Sequence, residues 1–282
     1  CAPAEVVFTS GATEAARILE QFGAARGVEV EPTAHDCLWA HRREGPDSVH
    51  AMGLANSETG VISAIPPGAR PLLLDIVQAA GRIPFSFADS GADFAILSAH
   101  KIGGPKGVGA LIVREGTEVA PLAPGGGQEL GRRSGTENIA GIAGFGAAAT
   151  AALADLAAGR WDAVEKLRRI LEKGIEASAP ETIFVGKDKP RIPNTSCFAV
   201  PGWRGETQVM QMDLAGFAIS AGSACSSGKV RESRVLRAMG FDEATAGSAI
   251  RVSLGPETTE EEVLRFADAW ASRYRKFRSK AA

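Results

Sequence analysis

The sequence predicts an α/β protein: a mostly parallel central sheet with flanking helices, followed by a smaller α+β C-terminal domain. Two observations carry this. The continuous apolar runs in "RPLLLDIVQ" and "FAILSAHK" are short and end in polar residues. Strands buried on both faces of a parallel sheet read this way, and ligands gather at their carboxyl ends. Around these runs the hydrophobic spacing changes to that of helices. A chain of 282 residues can bury one large core or two moderate ones. The expected division is a large domain over 1–156 and a small domain over 157–282.

The elements follow in order. "EVVFTSG" reads as a buried strand ending in turn residues, and "ATEAARILEQFGAARG" as a helix that Gly27 stops. "ISAIPPGARP" holds three prolines in ten residues and excludes a helix. "GVGALIVREG" is a further strand. "IAGIAGFGAAATAALADLAA" is a long helix lined with small residues, and "WDAVEKLRRILEKGIEASAP" is amphipathic and ended by Pro180. "TSCFAVPG" reads as a strand. The last helix, "TTEEEVLRFADAWASRYRKF", opens on a capping box of Thr259 and Glu262.

Composition narrows the function. The chain is 45% hydrophobic and 23% charged, with a net charge of -2 and no basic stripe, so nucleic acid is not an expected partner. The basic tail "RYRKFRSK" suits the negative end of a helix dipole. No apolar run is expected to reach membrane-spanning length, and no signal peptide is read. The four cysteines, at 1, 37, 197 and 225, form no CxxC pair, which argues against a metal site or disulfide framework. A reducing, cytoplasmic home is expected. The chain opens at Cys1 directly before a strand-like run, and a further N-terminal piece is expected in the natural protein.

Three strand ends carry chemistry. In "LSAHKIGGPKG", Lys101 directly follows a buried strand, where a lowered amine pKa favours a Schiff base. In "LLLDIVQAAG", Asp75 ends another strand, with Gln78 one turn on; a carboxylate there can keep a pyridinium nitrogen protonated. "TSGATEA" is a turn into a helix whose N–H groups and Thr13 hydroxyl suit a phosphate. Alone, each has an ordinary explanation: a surface lysine, a helix-capping aspartate, a common glycine turn. Together they specify pyridoxal phosphate (PLP). A fourth stretch, "SAGSACSSG", sets Cys225 among glycines and serines, as a small packed hydrophobe or as a thiol that must reach.

From Val6 to Glu262 the chain resembles the group I cysteine desulfurases of the NifS/IscS type, class V aminotransferases of the fold-type I PLP superfamily. The stretches that carry the resemblance, in order, are "VVFTSGATEA", "ANSETGV", "DIVQAAGRIPF", "SAHKIGGPKGVGALIVR", "GGGQELGRRSGTENI", "SAGSACSSG" and "AIRVSLGPETTEEEV". The resemblance implies that Lys101 holds PLP covalently, that Asp75 pairs with the ring nitrogen and that Gln78 contacts the ring hydroxyl. Ala12, Thr13, Ser98 and His100 would bind the phosphate, and Thr136 would reach the phosphate of a partner subunit in a homodimer. His35 aligns with the histidine that stacks on the ring and assists proton transfer; outside the family it would pass for a surface or helix histidine. Arg251, otherwise an ordinary strand arginine, would grip the substrate carboxylate. Cys225 would take sulfur from L-cysteine as a persulfide, leaving L-alanine, and pass it to an acceptor protein for iron–sulfur cluster or thiocofactor assembly. Cys1, Cys37 and Cys197 are expected to be structural or incidental.

Some features depart from the family. The connections "DCLWAHRREGPDSVHAMGL" and "ISAIPPGARP" are short, the family's N-terminal segment has no counterpart, and Ser57 stands where an asparagine usually contacts the cofactor. Two alternatives stay open: a selenocysteine lyase, which shares most of these residues, and a catalytically weak homologue acting as a binding or regulatory subunit.

Overall fold

Val6–Thr9 (β1), Val28–Val30 (β2), Val49–Gly53 (β3), Leu72–Asp75 (β4), Phe94–Ser98 (β5) and Gly109–Val113 (β6) form one sheet in the order β1-β6-β5-β4-β3-β2. The computed structural model describes residues 1–23, 26–221 and 233–281. The four strands from β2 to β5 pair in parallel, and β6 and β1 are antiparallel additions at one edge. The parallel strands are almost wholly apolar, as burial on both faces requires. Their core contains Ile18, Leu19, Leu38, Leu73, Phe94 and Leu111.

These strands belong to a first unit, Cys1–Asn56 with Ser63–Ala158; the second unit is Ser57–Ile62 with Gly159–Ala282. The helices of the first are Ala12–Ala15 (α1), Asp36–Trp39 (α2) and Ile139–Ala157 (α3). The expected stop at Gly27 is wrong. After α1 the chain tightens into a 3-10 helix over Ala16–Phe22, and Gly23, at φ 68°, ends it. Gly27 serves a different contact: a Cβ there would lie 2.6 Å from the Gly45 carbonyl oxygen.

The apolar length of α3 also corrects an expectation. Among the described residues it is the one helix long and apolar enough to cross a membrane. Alanine, isoleucine and leucine fill most of it, and Asp155 is its only charge. One face of α3 lies on the sheet, with Phe145 packed among Ala99, Val108 and Ala110 beneath the turn that carries Lys101.

The second unit has the helices Arg160–Ser178 (α4), Gly205–Asp213 (α5), Arg234–Ala238 (α6), Glu243–Ser248 (α7) and Glu260–Ala281 (α8). Its strands Ile183–Phe184 (β7), Thr195–Ala199 (β8), Ser220–Ala221 (β9) and Ala249–Ser253 (β10) pair antiparallel in the order β7-β8-β10-β9. The aromatic group Phe198, Trp203, Trp270 and Tyr274 centres its core. The capping box before α8 forms: Thr259 N–H and Oγ1 both reach Glu262 Oε2, at 2.8 and 3.0 Å.

Candidate active site

Because β4 and β5 are parallel neighbours with Asp75 opposite Ile96, both deliver their last residues to the same end of the sheet. Asp75 is only 8% exposed. Its Oδ1 accepts the Val77 N–H at 2.9 Å, so the aspartate closes a turn over residues 76–80 rather than capping a helix. Burial pushes its carboxyl up; the Val77 N–H and the positive charges of His35 and Lys101 oppose that shift. His35, Asp75 and Lys101 therefore share one electrostatic neighbourhood.

His35 is exposed and caps α2, with Nδ1 accepting the Cys37 N–H at 3.1 Å. In the neutral ring the proton then sits on Nε2. Lys101 ends the short 3-10 turn that follows β5, and its residue is exposed. Arg82, which sequence reading missed, joins the turns of Gln78 and Lys101: Nη1 donates to the Gln78 carbonyl at 2.9 Å and Nη2 to the Lys101 carbonyl at 2.7 Å. Its only signal is a cation set among small residues between the two motifs.

The glycine turn lies hard against the strand ends. A Cβ at Gly109 would meet Gly11 Cα at 2.6 Å, so only glycine lets the turn pack this closely. Ala12 N–H donates to Ser98 Oγ at 2.8 Å, which leaves the serine proton free to point at a ligand. Thr13 and His100 are exposed beside it. Partial desolvation and the ammonium groups of Lys101 and Lys106 push His100 below the usual imidazole range. The expected helix behind this turn is only the four residues of α1, so the cup rests on N–H and hydroxyl groups rather than on a long helix dipole. Glu14, also unremarked in the sequence, accepts the Ser10 N–H at 2.6 Å and Arg133 Nε at 2.9 Å. Burial raises the Glu14 carboxyl, but these donors outweigh it and hold the group below its ordinary value. The pair ties "GRRSGT", with exposed Thr136, to the turn.

Arg251, in β10, lies in the second unit, paired with Cys197 on one side and Ser220 on the other. Nη1 donates to the Ser57 carbonyl at 2.7 Å and Nη2 to Ser220 Oγ at 3.2 Å. Its Nε is buried with no partner among the described residues. Ser57 thus has a backbone role, in a segment that belongs to the second unit. Cys225 lies outside the described residues. Burial, followed by carboxylate neighbours, pushes the thiols of Cys37 and Cys197 up to about 12.

Residues 46–266 match the family described as aminotransferase class-V. The cysteine desulfurase of Enterobacter agglomerans is 43% identical over 219 residues, covering 75% of this chain and 54% of the relative. That of Bradyrhizobium diazoefficiens is 40% identical over 277 residues, 92% of this chain and 69% of the relative. The X-ray structure of a NifS-like protein from Rickettsia africae superposes with a TM-score of 0.86 at 27% identity, covering 96% of this chain and 82% of that one. The chain spans a little over half the length of the first of these relatives.

Proposed function

Since this chain belongs to the class-V aminotransferase family, among the cysteine desulfurases, we propose that it converts L-cysteine to L-alanine, with the sulfur carried off as a persulfide on Cys225. The observation that supports this most is that the parallel neighbours β4 and β5 bring Asp75 and, through the turn after Ser98, Lys101 to one sheet end, beside the turn at 11–13 whose Ala12 N–H meets Ser98 Oγ.

The residues fit PLP, the cofactor on which this family depends. A carboxyl that burial pushes up gains most from a cationic partner, and paired with Asp75 the PLP ring nitrogen would be held protonated. Ser98, Thr13, His100 and the N–H groups of the turn would take the phosphate, and Gln78 the ring hydroxyl. When bound, PLP supplies the electron sink that loosens the substrate Cα–H and Cβ–S bonds. Lys101 Nζ anchors the cofactor and then, freed by substrate, removes the Cα proton and returns a proton to carbon. His35 would assist the proton transfers, as its match to the family's ring-stacking histidine implies. Arg251 presents its guanidinium to the substrate carboxylate. Cys225 Sγ attacks the substrate sulfur as a thiolate, the S–S bond forms as the Cβ–S bond breaks, and the vacated carbon takes up a proton.

A homodimer and a sulfur-acceptor protein belong to the same reading. Leu130, Ile139 and Leu153, 79%, 74% and 65% exposed, offer apolar surface on the first unit for a second copy. Iron–sulfur or thiocofactor assembly is the proposed destination. A reducing, cytoplasmic setting belongs to the same reading.

The test is sulfide and alanine release from L-cysteine by the purified chain, with and without added PLP. Alanine and sulfide in equal amounts, dependent on PLP, are expected. No alanine above the protein-free control, even with PLP in excess, would overturn the reading.

A further inference from the structure

A chain of hydrogen bonds runs through the second unit from one flank of residues 222–232 to the other. Ser220, just before that stretch, accepts Arg251 Nη2 at 3.2 Å. Arg251 Nη1 donates to the Ser57 carbonyl at 2.7 Å. The next residue, Glu58, accepts at Oε2 from the Ser233 hydroxyl at 2.5 Å. Ser233 directly follows the stretch, is 2% exposed and caps α6 by accepting the Leu236 N–H at 3.1 Å. Both its donor and an acceptor site are therefore in use. A hydroxyl-to-carboxylate bond of this kind is stronger than a neutral one.

The support under Glu58 is firm. Residues 57–62 are docked in the second unit by a bridge between Val61 and Arg191. Two backbone bonds of 2.8 Å, Ile62 N–H to Pro190 and Ile192 N–H to Gly60, lie on either side of it. A Cβ at Gly186 would sit 2.4 Å from Val61 Cγ2, so the segment depends on glycine for its seat.

We infer that Glu58 is a positioning residue for sulfur transfer. Its carboxylate holds Ser233 on one flank of the stretch that bears Cys225, while the carbonyl of its neighbour Ser57 holds the Arg251 guanidinium, which meets Ser220 on the other flank. Fixing both ends of a stretch limits what its middle can reach, and so raises the chance of a productive approach. This inference rests on the desulfurase reading for the roles of Cys225 and Arg251, but not for the brace itself.

The experiment compares full-chain Glu58→Ala, Glu58→Gln, Ser233→Thr and Ser233→Asp with wild type. One measurement is single-turnover persulfide formation on Cys225 by the PLP-loaded protein, with the KM for cysteine. The other is the rate of Cys225 alkylation by iodoacetamide in PLP-free protein, read by mass spectrometry. Glu58→Ala is expected to slow persulfide formation about tenfold or more, the scale of a lost hydrogen bond to a charged group. Its KM should stay within twofold of wild type, and its alkylation rate should change at least threefold. Glu58→Gln, which keeps an acceptor oxygen, recovers most of both. Ser233→Asp keeps the cap but loses the donor and sets a second carboxylate against Glu58, so it is at least as damaged as Glu58→Ala, whereas Ser233→Thr behaves as wild type. That serine pair decides the matter if Glu58→Ala does not fold. Failure of wild type to form any persulfide would defeat the desulfurase reading while the alkylation arm still tested the brace. Wild-type values for Glu58→Ala and Ser233→Asp in both measurements, or a Glu58→Gln as damaged as Glu58→Ala, would overturn the inference.

Discussion

Asp75 illustrates how a single residue sets the chemistry around it. Its buried carboxylate discourages ionisation of Cys37, already disfavoured by burial, and the same charge suits a cationic ring. A thiol pushed up to about 12 is ionised in roughly one molecule in ten thousand at pH 8. Iodoacetamide at pH 8 should therefore spare Cys37 and Cys197 in the folded chain while modifying Cys225; rapid labelling of either buried cysteine would contradict their surroundings. Cys225→Ala should keep PLP and its cysteine-induced spectral change yet form no persulfide, and undiminished alanine production would remove Cys225 from its role. Asp75 and Lys101 stood out in the sequence because each is a polar side chain at or just beyond the end of a buried apolar run, whereas Ser98 was assigned only through the family resemblance. Arg82 and Glu58 were not legible, because they act on a backbone carbonyl and on a serine far along the chain, which no local pattern records.

At the scale of elements, two turns must hold their register for the cofactor residues to converge, and Arg82 is what joins them. Bonds from a charged donor contribute about 1.5–3 kcal/mol each. Since Arg82 acts through the backbone, part of its loss will be absorbed by the turns themselves. Arg82→Ala should weaken PLP binding about tenfold in a titration followed by absorbance, and Arg82→Lys should recover only part because it cannot span both carbonyls as a fork. An unchanged dissociation constant in Arg82→Ala would show that the turns need no such tie. The elements themselves were readable in proportion to their length: α3, α4 and α8 from periodicity, β4 to β6 from apolar runs. The short piece after Gly11 was overread, because helical spacing does not distinguish an α-helix from the 3-10 turn that replaces it. The antiparallel placement of β1 and β6 was also invisible, since pairing partners lie far apart in sequence.

Over the whole molecule the notable departure from chain order is residues 57–62, which leave the first unit and complete the second. No composition shift marks them; their placement depends on Pro190, Arg191 and Ile192, more than a hundred residues away. Those residues are held in turn by a buried ion network. Glu172 accepts Arg191 through both oxygens at 2.7 and 3.0 Å, Ser196 Oγ at 2.8 Å and Arg168 Nη1 at 3.4 Å. Burial raises the Glu172 carboxyl, but Arg191, Ser196 and Arg168 outweigh it and hold the group below its ordinary value of 4.5. A depressed carboxylate stabilises the fold fully above its unfolded pKa and loses that contribution as pH falls through the folded one. Glu172→Gln keeps the shape but leaves the buried Arg191 guanidinium without its anion and Arg168 with Glu165 alone, at a cost of about 3–5 kcal/mol. Tryptophan fluorescence suits the measurement, because Trp161, Trp203 and Trp270 all lie in the second unit. Urea unfolding at pH 7 should show the variant less stable by that amount. The gap should narrow below about pH 4.5 as the wild-type carboxylate takes up its proton. PLP affinity should stay within twofold, since Asp75, Ser98 and Lys101 belong to the first unit. Equal stability at pH 7, or a gap that does not narrow in acid, would mean that Glu172 is not the charge that holds residues 190–196, and with them 57–62, in place.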